Sequence, residues 1–203
     1  MRESFVNALM SQQHLFEIGL TAEQIHLLAD YYDLVREQNE TLNLVAPVTG
    51  ENFAVRHVLE SLTLLEFLPR ESRIADVGTG AGLPSIPCLL VRPGLTGLLI
   101  ESKEKKAKFL TSAVEKLCLA DRVSIVNRQF EETDPGDCGY VTCRALDKFT
   151  AKLPRLVKWS KKRSLLLFGG PSLGEALRAQ HVEYTEKTMP LSEQRFLFVS
   201  KPR

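Results

Sequence analysis

The sequence predicts an α/β protein: a three-layer, seven-stranded, mostly parallel sheet with helices on both faces, preceded by a helical N-terminal extension. Three observations support this fold class. Short apolar segments alternate with amphipathic segments of helical length from about residue 73 onward, which is typical of parallel βαβ units. A glycine-rich turn follows the first of these apolar segments, and residues 2–67 show apolar positions at helical spacing.

Residues 1–67 are predicted to form the helical extension. Apolar positions recur at helical spacing over residues 2–18 and 21–39. Thr21 and, three residues later, Gln24 form a capping box that begins the second helix. An irregular loop is expected at residues 43–48. A further amphipathic helix over residues 51–67 ends at Leu68-Pro69, because proline disfavours helical backbone at the residue before it.

Residues 68–203 are predicted to form the Rossmann-like core. Strands are expected at residues 73–77, 96–101, 122–127, 139–143 and 164–168. Helices are expected at residues 83–92, 103–118, 147–160 and 172–179. The last two strands, near residues 181–188 and 195–201, are separated by a short turn and must therefore pair antiparallel. We expect one domain over residues 1–203.

The composition is that of a globular enzyme-sized chain. It has 203 residues, of which 44% are hydrophobic and 25% charged, enough for a buried core. Apolar runs are too short to span a membrane, and the first residues lack a signal-peptide pattern. We therefore expect a cytoplasmic protein without membrane attachment. A monomer is a further expectation, which these observations do not test. Four cysteines and four histidines occur without a CxxC pair or ligand spacing, so no metal site is expected.

Residues 74–82, with the sequence IADVGTGAG, carry the most informative motif. They read as a strand that contains Asp76 and continues into a turn with Gly78, Gly80 and Gly82. Glycine permits a sharp turn and close approach of a ligand to the backbone, and the helix that follows offers a positive N-terminus. The dinucleotide pattern GxGxxG would need glycine where Leu83 stands. The motif therefore favours a nucleoside-bearing cofactor without a pyrophosphate.

A second acidic residue, Glu101, ends the next predicted strand about 20 residues after the glycine turn. A carboxylate at this place in the fold binds ribose hydroxyls. The alternative for Glu101 is a solvated carboxylate at a strand end, and the alternative for Asp76 is a residue that only caps the turn. The order of strand, glycine turn, helix and strand favours the ribose-binding interpretation.

Charge is distributed unevenly along the chain. Residues 1–143 contain 13 basic and 20 acidic residues, whereas residues 144–203 contain 13 basic and 5 acidic residues. Between residues 148 and 163 the chain has no acid and seven basic residues, with Trp159 among them: Lys148, Lys152, Arg155, Lys158, Lys161, Lys162 and Arg163. Such a basic cluster is typical of nucleic-acid binding, because neutralising phosphates releases counterions. A solvated helix surface is the alternative.

Four segments together resemble a known family. They are LNLV at residues 42–45, VRHVLESL at 55–62, DVGTGAGLPSIP at 76–87 and YVTCRA at 140–145. The chain resembles the ribosomal RNA small subunit methyltransferase G family from about residue 15 to its end. The resemblance implies a class I methyltransferase fold, S-adenosylmethionine as the cofactor, and transfer of its methyl group to N7 of one guanine in 16S ribosomal RNA of the small ribosomal subunit.

The resemblance and the glycine turn together assign candidate site residues. Cofactor binding is expected from Asp76, Gly78, Thr79, Gly80, Gly82, Leu83, Glu101, Gln129, Phe130, Glu131 and Arg144. The candidate catalytic residues are Cys143 and Arg144, at the end of the fourth strand. Candidate substrate contacts are Arg56, His57, Lys158, Lys161 and Lys162. Guanine N7 already has an in-plane lone pair, so the reaction needs positioning rather than a general base.

Two of these residues have alternative roles. Arg144 is expected to hold a phosphate or guanine O6, or else to form an ion pair at the strand end. His57 is expected to contact the methionine pocket or RNA, or else only to pack in the interior. The sequence does not decide between these roles.

Four positions depart from the family pattern. Glu60, Ser85, Cys143 and Phe168 stand where the family usually has Asp, Gly, Ser and Lys, respectively. The first three changes are small. The fourth removes a cation near the expected mouth of the active site. Phe168 is expected either to stack on a base or to be a buried strand residue.

Other classes of function stay open at this level. The chain could be a methyltransferase for another RNA or for a small molecule, although the basic cluster disfavours the latter. A pyrimidine methyltransferase would need a nucleophilic thiol at Cys143 or Cys88, but Cys88 belongs to the helix after the glycine turn and the fourth strand has no Pro-Cys pair. Methylation of an adenine amino group is disfavoured because residues 140–145 lack an NPPY-like tetrapeptide. A non-enzymatic RNA-binding module is the last alternative, and it is disfavoured because Asp76, the three glycines and Glu101 are all present.

Overall fold

The computed structural model describes residues 1–146, 148–161 and 163–202. Within them the strands are β1 (Ser72–Val77), β2 (Leu95–Ile100), β3 (Val123–Val126), β4 (Tyr140–Arg144), β5 (Ser164–Gly169), β6 (Tyr184–Thr188) and β7 (Phe196–Ser200). The α-helical segments are α1 (Arg2–Gln12), α2 (Ala22–Leu42), α3 (Gly50–Phe53), α4 (Glu60–Leu62), α5 (Ser85–Val91), α6 (Glu104–Lys116), α7 (Phe149–Trp159) and α8 (Pro171–Ala179).

The N-terminal helices begin where the sequence predicts. The Thr21 side chain accepts a hydrogen bond from the Gln24 amide at 3.2 Å, and the Gln24 side chain accepts one from the Thr21 amide at 2.9 Å. This is the predicted capping box of α2. The first helix is shorter than predicted: α1 ends at Gln12, and a 3₁₀ turn over Gln13–Phe16 closes with Glu17 in the left-handed region.

The predicted helix over residues 51–67 is a chain of four helical pieces, here called the composite helix. It consists of α3, a π-helical turn over Ala54–Leu59, α4, and a 3₁₀ turn over Thr63–Phe67. A π-helical turn adds one residue to the hydrogen-bonded ring and is frequent at functional sites. Here it contains His57 and immediately precedes Glu60, both of which lie at the cavities described below.

The sheet has the order β3-β2-β1-β4-β5-β7-β6. Strands β1 to β5 pair in parallel, whereas β7 pairs antiparallel with both β5 and β6. The predicted seven-stranded, mostly parallel sheet with a final antiparallel hairpin is confirmed. Strands β2 and β3 lie on one side of β1, whereas β4 and β5 lie on its other side, so the strand order switches between the neighbours β1 and β4. In open α/β sheets, ligands bind outside the carboxyl ends of the strands at such a point.

Two apolar clusters cover the two faces of the sheet. One contains Leu153, Leu167 and Phe198. The other joins the N-terminal helices to the sheet through buried residues such as Phe5 and Tyr31. The N-terminal extension therefore packs into the core of one sheet face. That residues 1–203 form a single domain stays a prediction.

Three expected properties concern cysteines, metals and membranes. Cys88, Cys138 and Cys143 are buried and Cys118 is exposed, all as free thiols. Over residues 1–146, 148–161 and 163–202, no group of three or more His, Cys, Asp or Glu side chains is placed to hold a metal ion. Within the same ranges, no helix has the length and apolar character needed to cross a membrane.

Candidate active site

The glycine turn follows β1 and adopts backbone that favours glycine. Gly78, Gly80 and Gly82 have φ angles of 69°, 59° and 94°. A Cβ atom at Gly78 would lie 2.6 Å from Leu146 Cδ1, and one at Gly82 would lie 2.3 Å from Ile86 Cδ1. At Gly80 the nearest atom would be 3.9 Å away. Two of the glycines therefore permit close packing within the protein, whereas Gly80 faces open space.

That open space is a cavity of about 560 Å³, here called the glycine-turn cavity. Among the predicted cofactor-binding residues, those that line it are Gly78, Thr79, Gly80, Leu83, Glu101, Gln129 and Arg144. An adjoining pocket of about 30 Å³ is lined by Gln129 and Phe130, and it shares Gly78, Ser102 and Leu146 with the larger cavity. The structure thus brings together segments that follow β1, β2, β3 and β4.

Glu101 connects the glycine turn to the next helix. One carboxylate oxygen, Oε2, accepts a hydrogen bond from the Gly80 amide at 3.0 Å, and Oε1 accepts one from the Lys103 amide at 2.8 Å. Asn127 donates to the Glu101 carbonyl at 2.8 Å. A carboxylate can accept about four hydrogen bonds, so these two oxygens retain acceptor positions for the hydroxyls of a ribose in the cavity.

Asp76 lies behind the turn rather than on the cavity wall. It is fully buried, and its Oδ2 accepts a hydrogen bond from the Thr79 hydroxyl at 2.6 Å. Burial raises the pKa of Asp76 to about 7, although the hydrogen bond from Thr79 and the interactions with the hydroxyl and backbone of Ser85 oppose this rise. Thr79 lines the cavity, so the hydrogen bond to Asp76 orients the Thr79 side chain at the cavity wall.

The N-terminal extension supplies a wall of the glycine-turn cavity. The loop residues Leu44, Val45 and Ala46 line it. Asn39 Oδ1 accepts a hydrogen bond from the Val45 amide at 2.9 Å, and Lys106 Nζ donates to the Asn43 carbonyl at 2.9 Å. The loop is thereby tied to α2 and to α6. The only sequence signal for this wall is the LNLV segment that contributes to the family resemblance.

Three lysines line the glycine-turn cavity that the sequence does not predict to contact a cofactor: Lys103, Lys106 and Lys152. The sequence analysis includes Lys152 only as part of the basic cluster. The spacing of these lysines is that of ordinary positions at or on amphipathic helices, so only the folded arrangement reveals their place.

His57 lies on the same cavity and is neutral. Burial, followed by the positive charges of Arg144, Arg56 and Arg195, lowers the pKa of His57 to about 3. The ring contacts Phe53 edge-on, with centroids 5.0 Å apart. Its Nδ1 atom is buried and has no hydrogen-bond partner within the described residues. The neighbouring Arg56 side chain is exposed.

A buried ion-pair network joins the composite helix to β4 and β7. Glu60 is 1% exposed. Its Oε2 accepts a hydrogen bond from Arg144 at 3.0 Å, and its Oε1 accepts one from Arg195 at 2.7 Å. Arg144 also donates to the Arg56 carbonyl, and its guanidinium lies 5.4 Å from the centroid of the Phe168 ring. Arg144 therefore does form an ion pair at the strand end, as the alternative interpretation stated.

A second cavity, of about 340 Å³, lies on the other side of Arg144 and is here called the aromatic cavity. Its lining residues include Glu60, Arg195, Phe149, Phe168 and Phe196. Three consecutive residues, Arg144, Ala145 and Leu146, line both cavities. The two cavities therefore meet at the carboxyl end of β4.

Several predicted site residues lie elsewhere. Cys143 is fully buried in the apolar cluster that contains Val141 and Leu167, and burial raises its pKa well above the usual value. Glu131 pairs with Arg155 at 3.2 Å. Gly82 packs against Ile86 as described above. The structure does not bring these residues together with the two cavities.

The basic cluster of residues 148–163 is divided among several roles. Lys158 and Lys161 are exposed, and Lys161 pairs with Asp134. Arg163 donates to the Cys138 carbonyl at 2.6 Å and so holds the loop before β4. The Trp159 indole donates to the Thr133 carbonyl at 2.9 Å and is buried. The predicted contact Lys162 lies outside the described residues.

The strand order, the antiparallel seventh strand and the glycine turn beside the switch in strand order define a protein with the class I methyltransferase fold. A solved structure of the METTL16 MTase domain is similar to this chain, with a TM-score of 0.56 at 18% identity over 86% of this chain and 80% of that chain. The chain belongs to the GidB family, described as rRNA small subunit methyltransferase G, whose sequence profile matches residues 24–195.

Individual relatives support the family. The ribosomal RNA small subunit methyltransferase G of Sorangium cellulosum is 35% identical over 196 residues, which cover 92% of this chain and 79% of the relative. The protein of the same name from Pelotomaculum thermopropionicum is 47% identical over 105 residues, or 50% of this chain and 44% of the relative. The match thus spans less than half of the Pelotomaculum protein.

Proposed function

We propose that the protein transfers a methyl group from S-adenosylmethionine to N7 of a guanine in small-subunit ribosomal RNA. The observation that carries this proposal is the meeting of two cavities at Arg144, Ala145 and Leu146. The glycine-turn cavity provides room for the cofactor, and the aromatic cavity provides room for one unstacked base. Family membership supports the substrate.

The residues of the glycine-turn cavity fit S-adenosylmethionine. Gly80 leaves room where a side chain would project, and Glu101 offers free acceptor positions for ribose hydroxyls. Gln129 lines this cavity where the small pocket with Phe130 adjoins it, and we propose that the adenine ring lies in the larger cavity against Gln129. The neutral His57 ring and the apolar Leu44–Ala46 loop form part of the wall. Gly78, Thr79 and Leu83, which belong to the expected binding set, also line the cavity.

The aromatic cavity fits a guanine that is methylated at N7. Phe149 and Phe196 are partly exposed and can stack on an extruded base, whereas Phe168 is a buried strand residue under the Arg144 guanidinium. Among the charged residues that line the cavity, Arg144 and Arg195 each pair with Glu60. The cofactor supplies a methyl group on a cationic sulfur, and N7 forms its bond to this group without prior deprotonation. A site that orients the base without a general base is therefore suited to this chemistry.

Cys143 is not suited to nucleophilic catalysis. Its fully buried thiol, with a raised pKa, would rarely form the thiolate that attack on a pyrimidine carbon needs. We infer that Cys143 packs beside the site and that Arg144 contacts the substrate.

Exposed lysines of the basic cluster, Lys158 and Lys161, are proposed to contact the RNA backbone, as is the exposed Arg56, whose carbonyl accepts a hydrogen bond from Arg144. We propose that the protein acts on small ribosomal subunits or their RNA in the cytoplasm, as a monomer.

The experiment is methyl transfer from labelled S-adenosylmethionine to small ribosomal subunits and to their free RNA, with the product nucleoside identified by mass spectrometry. We expect 7-methylguanosine at one position. Formation of 5-methylcytosine, 5-methyluridine or N6-methyladenosine would replace the guanine assignment. Methylation of a different RNA or of a small molecule, without methylation of either ribosomal substrate, would support the alternative substrate class.

A further inference from the structure

We propose that the buried carboxylate of Glu60 is a specificity residue that accepts hydrogen bonds from the N1–H and N2 amino groups of the target guanine. This inference rests on the proposed function, because it concerns the base that enters the aromatic cavity. Glu60 lines that cavity, and it is not one of the described residues that line the glycine-turn cavity. It thus lies on the substrate side of Arg144.

The geometry leaves Glu60 able to bind a base. Within the described residues each carboxylate oxygen has one side-chain partner, Arg144 at 3.0 Å and Arg195 at 2.7 Å. Because a carboxylate has about four acceptor positions, the pair of oxygens retains capacity for two further donors on the side where Glu60 lines the aromatic cavity. Two arginines also hold the buried carboxylate in one orientation, so a base would meet an acceptor that is already positioned.

The order of donors and acceptors matches guanine. Guanidinium N–H groups of Arg144 and Arg195 lie beside the Glu60 carboxylate. The arginines are hydrogen-bond donors and the carboxylate is an acceptor, so the site has donors next to an acceptor. Along the Watson–Crick edge, guanine offers the acceptor O6, then the donors N1–H and N2–H₂. Adenine offers a donor amino group and then an acceptor nitrogen, which would face the carboxylate lone pairs. The arrangement therefore favours guanine over adenine.

This mode of binding also leaves the reacting atom free. N7 lies on the Hoogsteen edge of the purine, whereas N1 and N2 lie on the Watson–Crick edge, so contacts to Glu60 do not occupy the nucleophile. Stacking on the partly exposed Phe149 and Phe196 of the aromatic cavity holds the plane of the ring. Contacts to the Watson–Crick edge direct N7 away from Glu60, as transfer from the neighbouring cavity requires.

The test compares guanine with inosine, which lacks only the N2 amino group. Splinted ligation places inosine at the methylated position of small-subunit RNA, and the specificity constant kcat/KM is measured for both RNAs. We expect inosine to lower kcat/KM of the unmodified protein by about ten- to a hundredfold, the range of one hydrogen bond to a charged group.

The same pair of RNAs is then measured with Glu60→Gln and with Glu66→Gln as the matched control. Glu66 is an exposed glutamate of the composite helix that pairs with Lys187. Glu60→Gln is expected to lower kcat/KM on guanine. It should also reduce the guanine-to-inosine ratio of kcat/KM to about threefold or less, because the variant and the inosine RNA each remove the same hydrogen bond. Glu66→Gln should retain the ratio of the unmodified protein. A purely structural role of Glu60 would lower both rates and leave their ratio unchanged.

Two outcomes would overturn the inference. One is equal methylation of guanine and inosine by the unmodified protein, a measurement that needs no variant to fold. The other is an unchanged guanine-to-inosine ratio in Glu60→Gln. Neither outcome affects the proposed function if 7-methylguanosine is formed. Absence of 7-methylguanosine with the unmodified protein and its guanine RNA would instead contradict the proposed function itself.

Discussion

Substitution of Gly80 offers the sharpest test of whether the glycine-turn cavity binds the cofactor, because the chain contains a matched control. Gly80 and Gly136 have nearly equal φ angles, 59° and 60°, and a Cβ at either would meet no atom closer than 3.9 Å. Gly80 lines the glycine-turn cavity, whereas Gly136 is exposed in the loop before β4. Valine at either site incurs the same kind of backbone strain, but only at Gly80 does it enter the cavity.

The expected magnitudes follow from strain and from ligand linkage. A left-handed backbone costs an L-residue about 1–2 kcal/mol, with valine at or above the upper end. For a chain of this size, each kcal/mol lowers Tm by about 2–4 °C. S-adenosylmethionine at about 100 times its Kd should stabilise the unmodified protein by about 2.7 kcal/mol. That free energy corresponds to a rise in Tm of about 5–10 °C.

The assay is thermal unfolding with and without S-adenosylmethionine, followed by calorimetric titration of both variants. We expect Gly80→Val and Gly136→Val to lose similar stability without ligand. With ligand, only Gly136→Val should show the full rise in Tm, and NAD should produce no rise in any of the proteins. The reasoning is refuted if Gly80→Val binds S-adenosylmethionine with the affinity of the unmodified protein.

Four further predictions concern other residues. Glu101→Gln should weaken S-adenosylmethionine binding by about 1.5–3 kcal/mol in calorimetry, because it loses charge-assisted hydrogen bonds; unchanged affinity would place the ribose elsewhere. Arg144→Ala should lower methyl transfer to small subunits at least tenfold while cofactor affinity is kept, whereas Cys143→Ser should stay active; an inactive serine variant would argue for thiol catalysis. Lys158→Glu should weaken RNA binding and reduce its salt dependence by about one unit of the log–log slope, and equal slopes would exclude this contact. The low pKa of His57 means that the unfolded chain binds a proton first, so stability should fall as pH drops from about 6.5 towards 3, by at most about 1.4 kcal/mol per pH unit. Urea unfolding of His57→Gln across this range should show a flatter decline.

The sheet could be predicted from the sequence because its signals are local. Apolar segments of strand length, the glycine turn and the short final hairpin each reside in a few neighbouring residues. The composite helix could not be predicted in detail. Its residues 51–67 have ordinary amphipathic spacing, and the π-helical turn at Ala54–Leu59 is a departure from regular helix that this spacing does not encode.

The substrate side of the site was only partly predictable, because its contacts join distant segments. In the sequence, Glu60 stands out only as a departure from the family pattern. Its partners Arg144 and Arg195 are 84 and 135 positions away in the chain. The sequence predicts catalytic roles for Cys143 and Arg144 together because both lie at a strand end. Side chains alternate between faces along a strand, and the structure places only Arg144 on the cavities.

The mixed origin of the glycine-turn cavity has a kinetic consequence. Its walls include the loop at Leu44–Ala46, the turn after β1, the residues Arg144–Leu146 at the end of β4, and Lys152 of α7. Pairing of segments separated by about a hundred residues is a late and slow event in folding, because loop closure precedes the contacts that reward it. A chain still emerging from its ribosome cannot assemble this cavity until α7 has been synthesised. Capture of S-adenosylmethionine during refolding should therefore lag behind the formation of helical structure.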